Sequence, residues 1–410
     1  MKSRVVAAAL AVLALTSGTA TIGGSAAGAA VPVPEHDAFY AVPADIASKA
    51  NGTVLASRSI AASSFGIPLP ARAWQVKYRT TDSQGNATAT VTTILVPLLP
   101  WTKGGPRPLV SYQTAEDGVA GKCAPSYALR AGLQAGGTNS NAETGLMALA
   151  LFNGWAVAAP DYEGPLSAFL GTPGEAHAVL DGIRATKHFA AAGLSNAPTA
   201  LWGYSGGSIA SSAAAQLQAT YAPDVRLVGV ALGGLVGDIP STIQKFEGLL
   251  GGAIPMGING VMRAYPDYHL ERYLNARGKA MVAATAGDCI NDAVARYPGT
   301  TIAQIEAFPG AFDLPVVHNL LEANSPGHMG GVPQEPVYDY HSVLDELAPI
   351  GPDRDLMRTY CAAGVQVQHV ESVLGEHIIE TVTGAPGALG FLSNRFAGLP
   401  AKNTCASLPK

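Results

Sequence analysis

A serine flanked by glycines near the middle of the chain has the pattern of a nucleophile for acyl transfer. Residues 203–207 are Gly-Tyr-Ser-Gly-Gly, which fits the pattern G-x-S-x-G with Ser205 at its centre. In such a motif the serine lies on a sharp strand-to-helix turn with strained dihedral angles, where larger neighbours would clash. The first N–H groups of the following helix favour negative charge. The alternative is an ordinary serine in a glycine-rich turn.

The segments around this motif alternate between strands and helices. Residues 199–203 are apolar, as in a buried strand, and residues 208–219 are mostly small, as in a helix packed on a sheet. This alternation predicts an α/β fold, with a mostly parallel sheet and helices on both faces. Residues 73–80 and 87–96 predict a hairpin at its front. The further predicted strands are 107–112, 155–160, 225–232, 336–342 and 365–372, and the further helices are 143–152, 175–192, 351–363 and 378–395.

The general base is expected late in the chain. In this kind of fold the triad follows the order Ser, then Asp or Glu, then His. His377 comes a few residues after the last predicted strand and begins the last helix, so it is the best candidate. An exposed histidine at a helix start is the alternative. The other histidines well downstream of Ser205 lie inside predicted strands or in a helical segment: His318, His328, His341 and His369.

The acid that orients the histidine is expected after the penultimate strand. Asp345 follows residues 336–342 directly and would hold the imidazole in one tautomer. Its neighbour Glu346 is the fallback, and Asp238 is a further possible position. Asp353 and Asp355 lie at a predicted helix start, where capping the helix is the simpler explanation.

The strand and helix alternation stops between residues 241 and 330, where helical segments are broken by glycines and prolines. We interpret residues 241–333 as a helical cap or lid inserted into a core of residues 31–240 and 334–410. The apolar run from Leu249 to Met256 is predicted to line an acyl-binding tunnel. An ordinary packed helical subdomain is the alternative. Residues 31–70 are expected to form an N-terminal arm with little regular structure.

Residues 1–30 have the features of an export signal. Lys2 and Arg4 precede a short apolar run, and small residues suited to signal peptidase follow, up to Ala30. The four cysteines, an even number in an exported protein, predict two disulfides of open pairing. A zinc site is disfavoured, because no two of them are two to four residues apart. They are Cys123, Cys289, Cys361 and Cys405.

Composition excludes some functions. After loss of the leader the chain has 23 basic and 30 acidic residues, a formal charge of −7, which argues against nucleic acid as a partner. Hydrophobic residues make up 48% of the chain, enough for a large core. No later stretch is apolar for long enough to predict a transmembrane helix. Neither a cofactor nor a metal ion is predicted.

Several motifs together resemble the secretory lipase family of yeasts and bacteria. They are residues 111–117, 160–164 and 203–207, Asp345-Glu346 followed by Pro349, and Glu376-His377. The resemblance implies an α/β-hydrolase fold with a lid, and Ser205, Asp345 and His377 as the triad. It also implies an oxyanion hole of the backbone N–H groups of Asp117 and Gly206. Gly206 is supported independently, since the residue after the nucleophile supplies one such N–H.

The resemblance further implies the disulfides Cys123–Cys289 and Cys361–Cys405. The chain departs from the family just before Asp345, where residues 341–344 replace a short run that usually contains glycine. The function expected is that of a secreted serine hydrolase, a triacylglycerol lipase or esterase that contacts lipid interfaces transiently. The alternatives are a short-chain carboxylesterase and a peptidase or amidase on the same fold. A lipid-binding protein without activity is disfavoured, because competent residues occupy all three triad positions.

Overall fold

The computed structural model describes residues 30–409, and apart from Ala30 the predicted leader lies outside them. Residues 31–410 form one compact unit. Nine of its strands form one mixed sheet, in the order β1-β4-β5-β7-β6-β8-β9-β10-β11. The strands are β1 (Val54–Ile60), β2 (Ser63–Ser64), β3 (Ile67–Pro68), β4 (Ala71–Thr81), β5 (Ala87–Pro97), β6 (Leu109–Gln113), β7 (Ala156–Pro160), β8 (Thr199–Tyr204), β9 (Leu227–Gly233), β10 (Val337–Ser342) and β11 (Val367–Ser372).

The six strands from β6 to β11 pair in parallel, and β1, β4 and β5 add an antiparallel edge. Parallel neighbours need crossover connections, and helices provide them here. The helices are α1 (Pro125–Ala131), α2 (Asn139–Phe152), α3 (Thr172–His188), α4 (Gly206–Tyr221), α5 (Ile239–Phe246), α6 (Ala253–Ala264), α7 (Ala276–Ala284), α8 (Ile290–Arg296), α9 (Ile302–Ile305), α10 (Pro315–Ala323), α11 (Ile350–Ala362), α12 (His377–Thr383) and α13 (Ala385–Phe396).

Apolar cores lie on both faces of the sheet, because successive strand residues point to opposite sides. Leu201 of β8 packs with residues of α3, α4 and α11, whereas its neighbour Trp202 packs with residues of α2 and α13. Both side chains are fully buried. The predicted α/β fold, with helices on both faces of a mostly parallel sheet, is therefore confirmed.

Two expectations about local structure are wrong. Residues 31–70, predicted to have little regular structure, contain the edge strand β1 and a short hairpin of β2 and β3. The alternation of β1 is weak, because several of its side chains are only half-buried. The single last helix is instead two helices that break at Gly384. The ring of Tyr340 packs against this glycine, where a Cβ would lie 2.2 Å from it, and Pro386 starts the second helix.

The chain between β9 and β10 leaves the sheet for about a hundred residues. In this part of the chain the described elements are the helices α5 to α10 and short 3₁₀ turns, joined by isolated bridges. None of the helices in residues 30–409 is long and apolar enough to span a bilayer.

Candidate active site

Ser205 lies at the turn between β8 and α4. Its backbone has a φ of 52°, in the left-handed region that non-glycine residues rarely adopt. Two glycines allow the turn. A Cβ on Gly203 would lie 2.2 Å from the carbonyl oxygen of Gly207, and one on Gly207 would lie 2.0 Å from that of Gln113. The strained serine, supported from both sides, is the geometry expected of a nucleophile on a sharp elbow.

Three side chains form a connected line at this turn. Nε2 of His377 is 2.8 Å from Oγ of Ser205, and Nδ1 of His377 is 2.6 Å from Oδ2 of Asp345. A carboxylate only accepts, so Nδ1 carries the hydrogen and Nε2 is free to accept the serine proton. The structure thus brings together the three residues that the sequence suggested as a triad.

The ends of two parallel strands bring Asp345 and His377 together. β10 and β11 are in register up to Ser342 and Ser372, so their following loops start side by side. Asp345 is held by its own loop, because Oδ1 accepts hydrogen bonds from the N–H groups of Leu347 and Ala348 at 2.9 and 2.7 Å. This leaves Oδ2 directed at the imidazole.

His377 is fixed from two sides. It is the first residue of α12, and its carbonyl oxygen accepts a hydrogen bond of 2.6 Å from the hydroxyl of Tyr204, next to Ser205. Its N–H donates to Oε2 of Glu346 at 3.2 Å. Glu346, the fallback acid, therefore supports the backbone of His377, while Asp345 contacts the ring.

The side chain of Asp345 is buried. Burial raises its pKa, but hydrogen bonds from His341 and His377 outweigh this and hold the pKa well below its usual range. An ionised carboxylate at this place stabilises an imidazolium on His377.

The two residues suggested for an oxyanion hole lie against each other. Gly206 is the first residue of α4, so its N–H has no intrahelical partner. Asp117 has a φ of 39°, and its carboxylate lies so close to Gly206 that a Cβ there would be 2.0 Å from Oδ1. Burial raises the pKa of Asp117 to about 6, against the opposing effects of a hydrogen bond from Asn139 and the charge of His377.

The loop of Asp117 is attached to the helical insertion. Gly118 forms a β-bridge with Cys289, and the N–H of Val119 donates to the carbonyl of Asp288 at 3.0 Å. The disulfide Cys123–Cys289 closes the same contact. The second disulfide, Cys361–Cys405, joins α11 to the C-terminal segment far from this loop in sequence. The structure thus has the pairing that the resemblance implied.

Buried acids beside this loop were not identified from the sequence. Glu116 accepts a hydrogen bond of 2.7 Å from the N–H of Tyr162, and Glu143 accepts one of 2.8 Å from the N–H of Ala115. They fix the loops that end β6 and β7. Burial is the main cause that raises the pKa of each acid in this group: Glu116, Asp117, Glu143, Asp161, Glu163 and Glu175. The motifs 111–117 and 160–164 contain most of them, but nothing in a single sequence marks these acids as buried.

A second polar cluster lies behind Asp345, formed by Asp339, His341, Asp353 and His369. Asp339, Asp353 and His369 form the one group in residues 30–409 whose spacing comes near that of a metal site. However, Nδ1 of His369 is 2.5 Å from Asp339, whereas two ligand atoms of a tetrahedral zinc ion, with bonds of about 2.0–2.1 Å, are about 3.3 Å apart. We interpret the group as hydrogen-bonded ion pairs.

The remaining candidates lie elsewhere. Asp238 caps α5 by accepting from the N–H of Ser241 at 2.8 Å, and it contacts His328. His318 is in α10 and pairs with Glu322. Asp353 does not cap α11 as expected: Pro349 has that position, and Asp353 is fully buried in the first turn. Asp355 is exposed and pairs with Arg358.

The apolar run from Leu249 to Met256 has an exposed end and a buried end. Leu249 is 80% exposed on a turn before α6, so the expectation that it lines a tunnel is wrong. Met256 is fully buried in α6 and packs against Val119 and Ala293. Because Val119 follows the Asp117 loop closely, Met256 is the residue of this run that adjoins the candidate site.

Comparisons with known proteins identify the family of this chain. The model of the secretory lipase family matches residues 129–404. Lipase 10 of Candida albicans is 34% identical over 390 residues, which cover 91% of this chain and 83% of that protein. The chain belongs to the secretory lipase family. Membership of this family supports a carboxylic ester hydrolase. The family name and the two disulfides are consistent with secretion.

Two further relatives bear on the fold and on the activity of this chain. Candida antarctica lipase A in its closed state has a TM-score of 0.85 and 30% identity, covering 93% of this chain and 91% of that one. A protein of Mycobacterium tuberculosis is 37% identical over 378 residues, 90% of this chain and 83% of that protein, and is named a probable inactive lipase. Both relatives span nearly the whole chain, so their likeness includes the helical insertion as well as the sheet.

Proposed function

We propose that this secretory lipase is an active, secreted serine hydrolase that cleaves carboxylic esters through an acyl-enzyme on Ser205. The observation that carries the proposal is the unbroken line from Ser205 Oγ through His377 to Asp345, with contacts of 2.8 and 2.6 Å. A nucleophile, a base within reach of it and a third group that orients the base are the parts that this chemistry needs.

In the first step Oγ of Ser205 attacks the ester carbonyl carbon while Nε2 of His377 takes the hydroxyl proton. The backbone N–H groups of Asp117 and Gly206 donate hydrogen bonds to the carbonyl oxygen and stabilise the negative charge that develops on it. The imidazolium then gives the proton to the alcohol oxygen, which leaves, and the acyl group stays on Ser205. Asp345 remains ionised throughout and stabilises the imidazolium.

In the second step a water molecule takes the place of the alcohol. His377 accepts a proton from the water as its oxygen attacks the acyl carbon, and then returns this proton to Oγ as the carboxylic acid leaves. Each group thus ends in its starting state, which a catalyst requires.

We propose longer acyl esters, including triacylglycerols, as the substrates, with short-chain esters as the alternative. Exposed apolar side chains on the loops and the helix that also contain Asp345 and His377 support this proposal. They are Leu344, Val373, Leu374, Ile378 and Val382. Apolar surface at this place could contact a lipid interface next to the nucleophile, since large exposed patches commonly mark such contacts.

A relative named as probably inactive makes the first experiment a test of activity itself. One sample of the purified protein is treated with a fluorophosphonate probe, and a separate untreated sample is assayed on p-nitrophenyl esters from acetyl to octanoyl and on a peptide panel. We expect probe labelling at Ser205 and a kcat/KM that rises with acyl length, since each buried CH₂ contributes about 0.8 kcal/mol. No labelling and no turnover would refute the proposal, and the best turnover on acetyl esters would favour the short-chain alternative.

A further inference from the structure

His341 lies on β10 behind the carboxylate of Asp345, away from Ser205. Its side chain is fully buried. Nε2 is 3.0 Å from the carbonyl oxygen of Ala348 and 3.4 Å from Oδ2 of Asp345, and Nδ1 is 3.5 Å from Oδ2 of Asp353. The ring therefore joins two buried carboxylates that do not contact each other directly.

The surroundings of the ring favour a hydrogen on both nitrogens. Nε2 faces a carbonyl oxygen and a carboxylate, which only accept, so it carries a hydrogen. Nδ1 is 3.5 Å from Oδ2 of Asp353, and in residues 30–409 neither Nδ1 nor the two oxygens of Asp353 has a hydrogen-bond partner at a shorter distance. A buried carboxylate without a compensating charge is very costly, so a neutral His341 would leave Asp353 unpaired. A positive His341 between the two acids removes this cost.

The charges around the ring support the same state. Burial lowers the pKa of His341, but the close contacts with the carboxylates of Asp345 and Asp353 and the nearby charge of Asp339 outweigh this and raise it well above its usual range. Beyond Asp353, Nδ1 of His369 is 3.9 Å from the same carboxylate and 2.5 Å from Asp339. His369 thus pairs mainly with Asp339, and His341 is the nearer histidine to Asp353.

We propose that His341 is a permanently charged positioning residue that offsets part of the negative charge of Asp345 and so weakens the stabilisation of the imidazolium form of His377. His341 and His377 are the two basic groups that contact Asp345 in the described part of the chain. Without the charge of His341, the full charge of Asp345 would favour the imidazolium form of His377, which cannot act as a base.

The other groups near His377 do not replace this effect. Asp117 and Glu346 are acids and favour the imidazolium, as Asp345 does, and Tyr204 donates its hydroxyl to the carbonyl of His377. Because Coulomb interactions decrease with distance, a positive group in contact with Asp345 has the largest opposing effect. The inference uses the proposed function only for its kinetic consequence; the charge of His341 is independent of it.

The test is a histidine NMR titration of the full chain with ¹³C-labelled histidine, from pH 5 to 8.5, with resonances assigned by substitution. We expect the His341 resonance of the unmodified protein to stay at the protonated position. In His341→Gln we expect the acid limb of the kcat/KM profile to move to higher pH by about one unit, with KM nearly unchanged.

Asp353→Asn is the second variant, because it keeps His341 in place and should remove its charge. We expect the same movement of the acid limb to higher pH. His369→Gln is the matched control, since it alters the same cluster without touching Asp345 and should leave the acid limb unchanged. A His341 that titrates near its ordinary pKa of about 6.5, an unchanged acid limb in both variants, or one bound metal ion per chain would overturn the proposal. A protein without turnover would still show whether His341 titrates, so failure of the proposed function can be told apart from failure of this proposal.

Discussion

The carbonyl oxygen of Asp117 accepts a hydrogen bond of 2.8 Å from the N–H of Ile290, so the loop proposed for the oxyanion hole is held by the first residue of α8 in the helical insertion. The insertion is therefore a structural support of the proposed site. The disulfide Cys123–Cys289, next to this bond in sequence, makes the relationship testable.

The double variant Cys123→Ser/Cys289→Ser should lose activity beyond its loss of stability. Without the bond, the strained φ of Asp117 is held by backbone contacts and by the hydrogen bond from Asn139, so we expect kcat to fall by about tenfold, part of the 10²–10³ that a lost oxyanion donor costs. Cys361→Ser/Cys405→Ser is the matched control. Both variants should lose up to about 4–5 kcal/mol in unfolding free energy, but the control should keep its kcat at 20 °C. Equal kcat values in both variants would contradict the coupling.

Single replacements of Ser205, His377 and Asp345 should lower kcat by different amounts, because the three residues have different roles. Ser205→Ala and His377→Ala should each lower kcat by several orders of magnitude, and the double variant should lose little more, because the residues act as a unit. Asp345→Asn should cost less than either, since the acid orients and stabilises. Circular dichroism checks the fold. As a control for the acid, Asp238→Asn should lose only a helix cap; a dead Asp238→Asn together with an active Asp345→Asn would move the acid to Asp238.

Stability should decrease as the pH rises from 5.5 to 8.5. Burial, with the charge of Asp117, raises the pKa of Glu175 to about 8, so the folded state keeps a proton that the unfolded chain has lost. Burial lowers the pKa of His369, but Asp339 outweighs it and raises the pKa to about 9, so this contribution is present at pH 5.5 and is lost as the pH approaches 9. Both groups act in the same direction.

Urea unfolding at the two pH values measures this dependence. Glu175→Gln should reduce the difference, because a buried amide does not ionise, whereas the exposed Glu271→Gln should leave it unchanged. A protein that is more stable at pH 8.5 than at pH 5.5 would contradict the prediction that Glu175 and His369 bind protons more tightly in the folded state.

The exposed apolar residues beside His377 should affect insoluble substrates most. Leu374→Ser should lower turnover of emulsified triacylglycerol about fivefold or more relative to a soluble ester, because burying a leucine contributes about 1.5–3 kcal/mol. Leu99→Ser is the matched control: Leu374 is 79% exposed and Leu99 78%, but Leu99 follows β5 at the antiparallel edge. If both variants change the ratio equally, the surface next to His377 has no special role.

Much of the sheet could be predicted from sequence, because its central strands are short apolar runs that end at glycine or polar turns. β8 and the small residues of α4 are clear examples, and they locate Ser205. β1 was missed because an edge strand with half-buried side chains has weak alternation. The break at Gly384 combines a local signal, Pro386, which disfavours a continuous helix, with the ring of Tyr340, more than 40 residues away, which no local pattern contains.

Within the site, position along the chain was enough to suggest Asp345 and His377, since each follows a strand end. Asp117 came from family resemblance alone, because a positive φ at an aspartate leaves no mark in a single sequence. His341 and Asp353 were assigned to a strand and a helix cap, which their positions favour. Their role depends on burial across two elements, and burial of charged side chains is a property of the packed molecule.

The chain leaves the sheet after Gly233 and returns at Val337 to the strand directly beside it. Because the two strands that flank the insertion are neighbours, we expect that it can be exchanged between relatives without rebuilding the sheet. The exchanged segment must fit the core of the recipient, with Cys289 against the Asp117 loop and Arg263 against the carbonyl oxygens of Val119 and Leu166. Chimeras of secretory lipases that respect this contact would show whether acyl preference is inherited with the insertion or with the core.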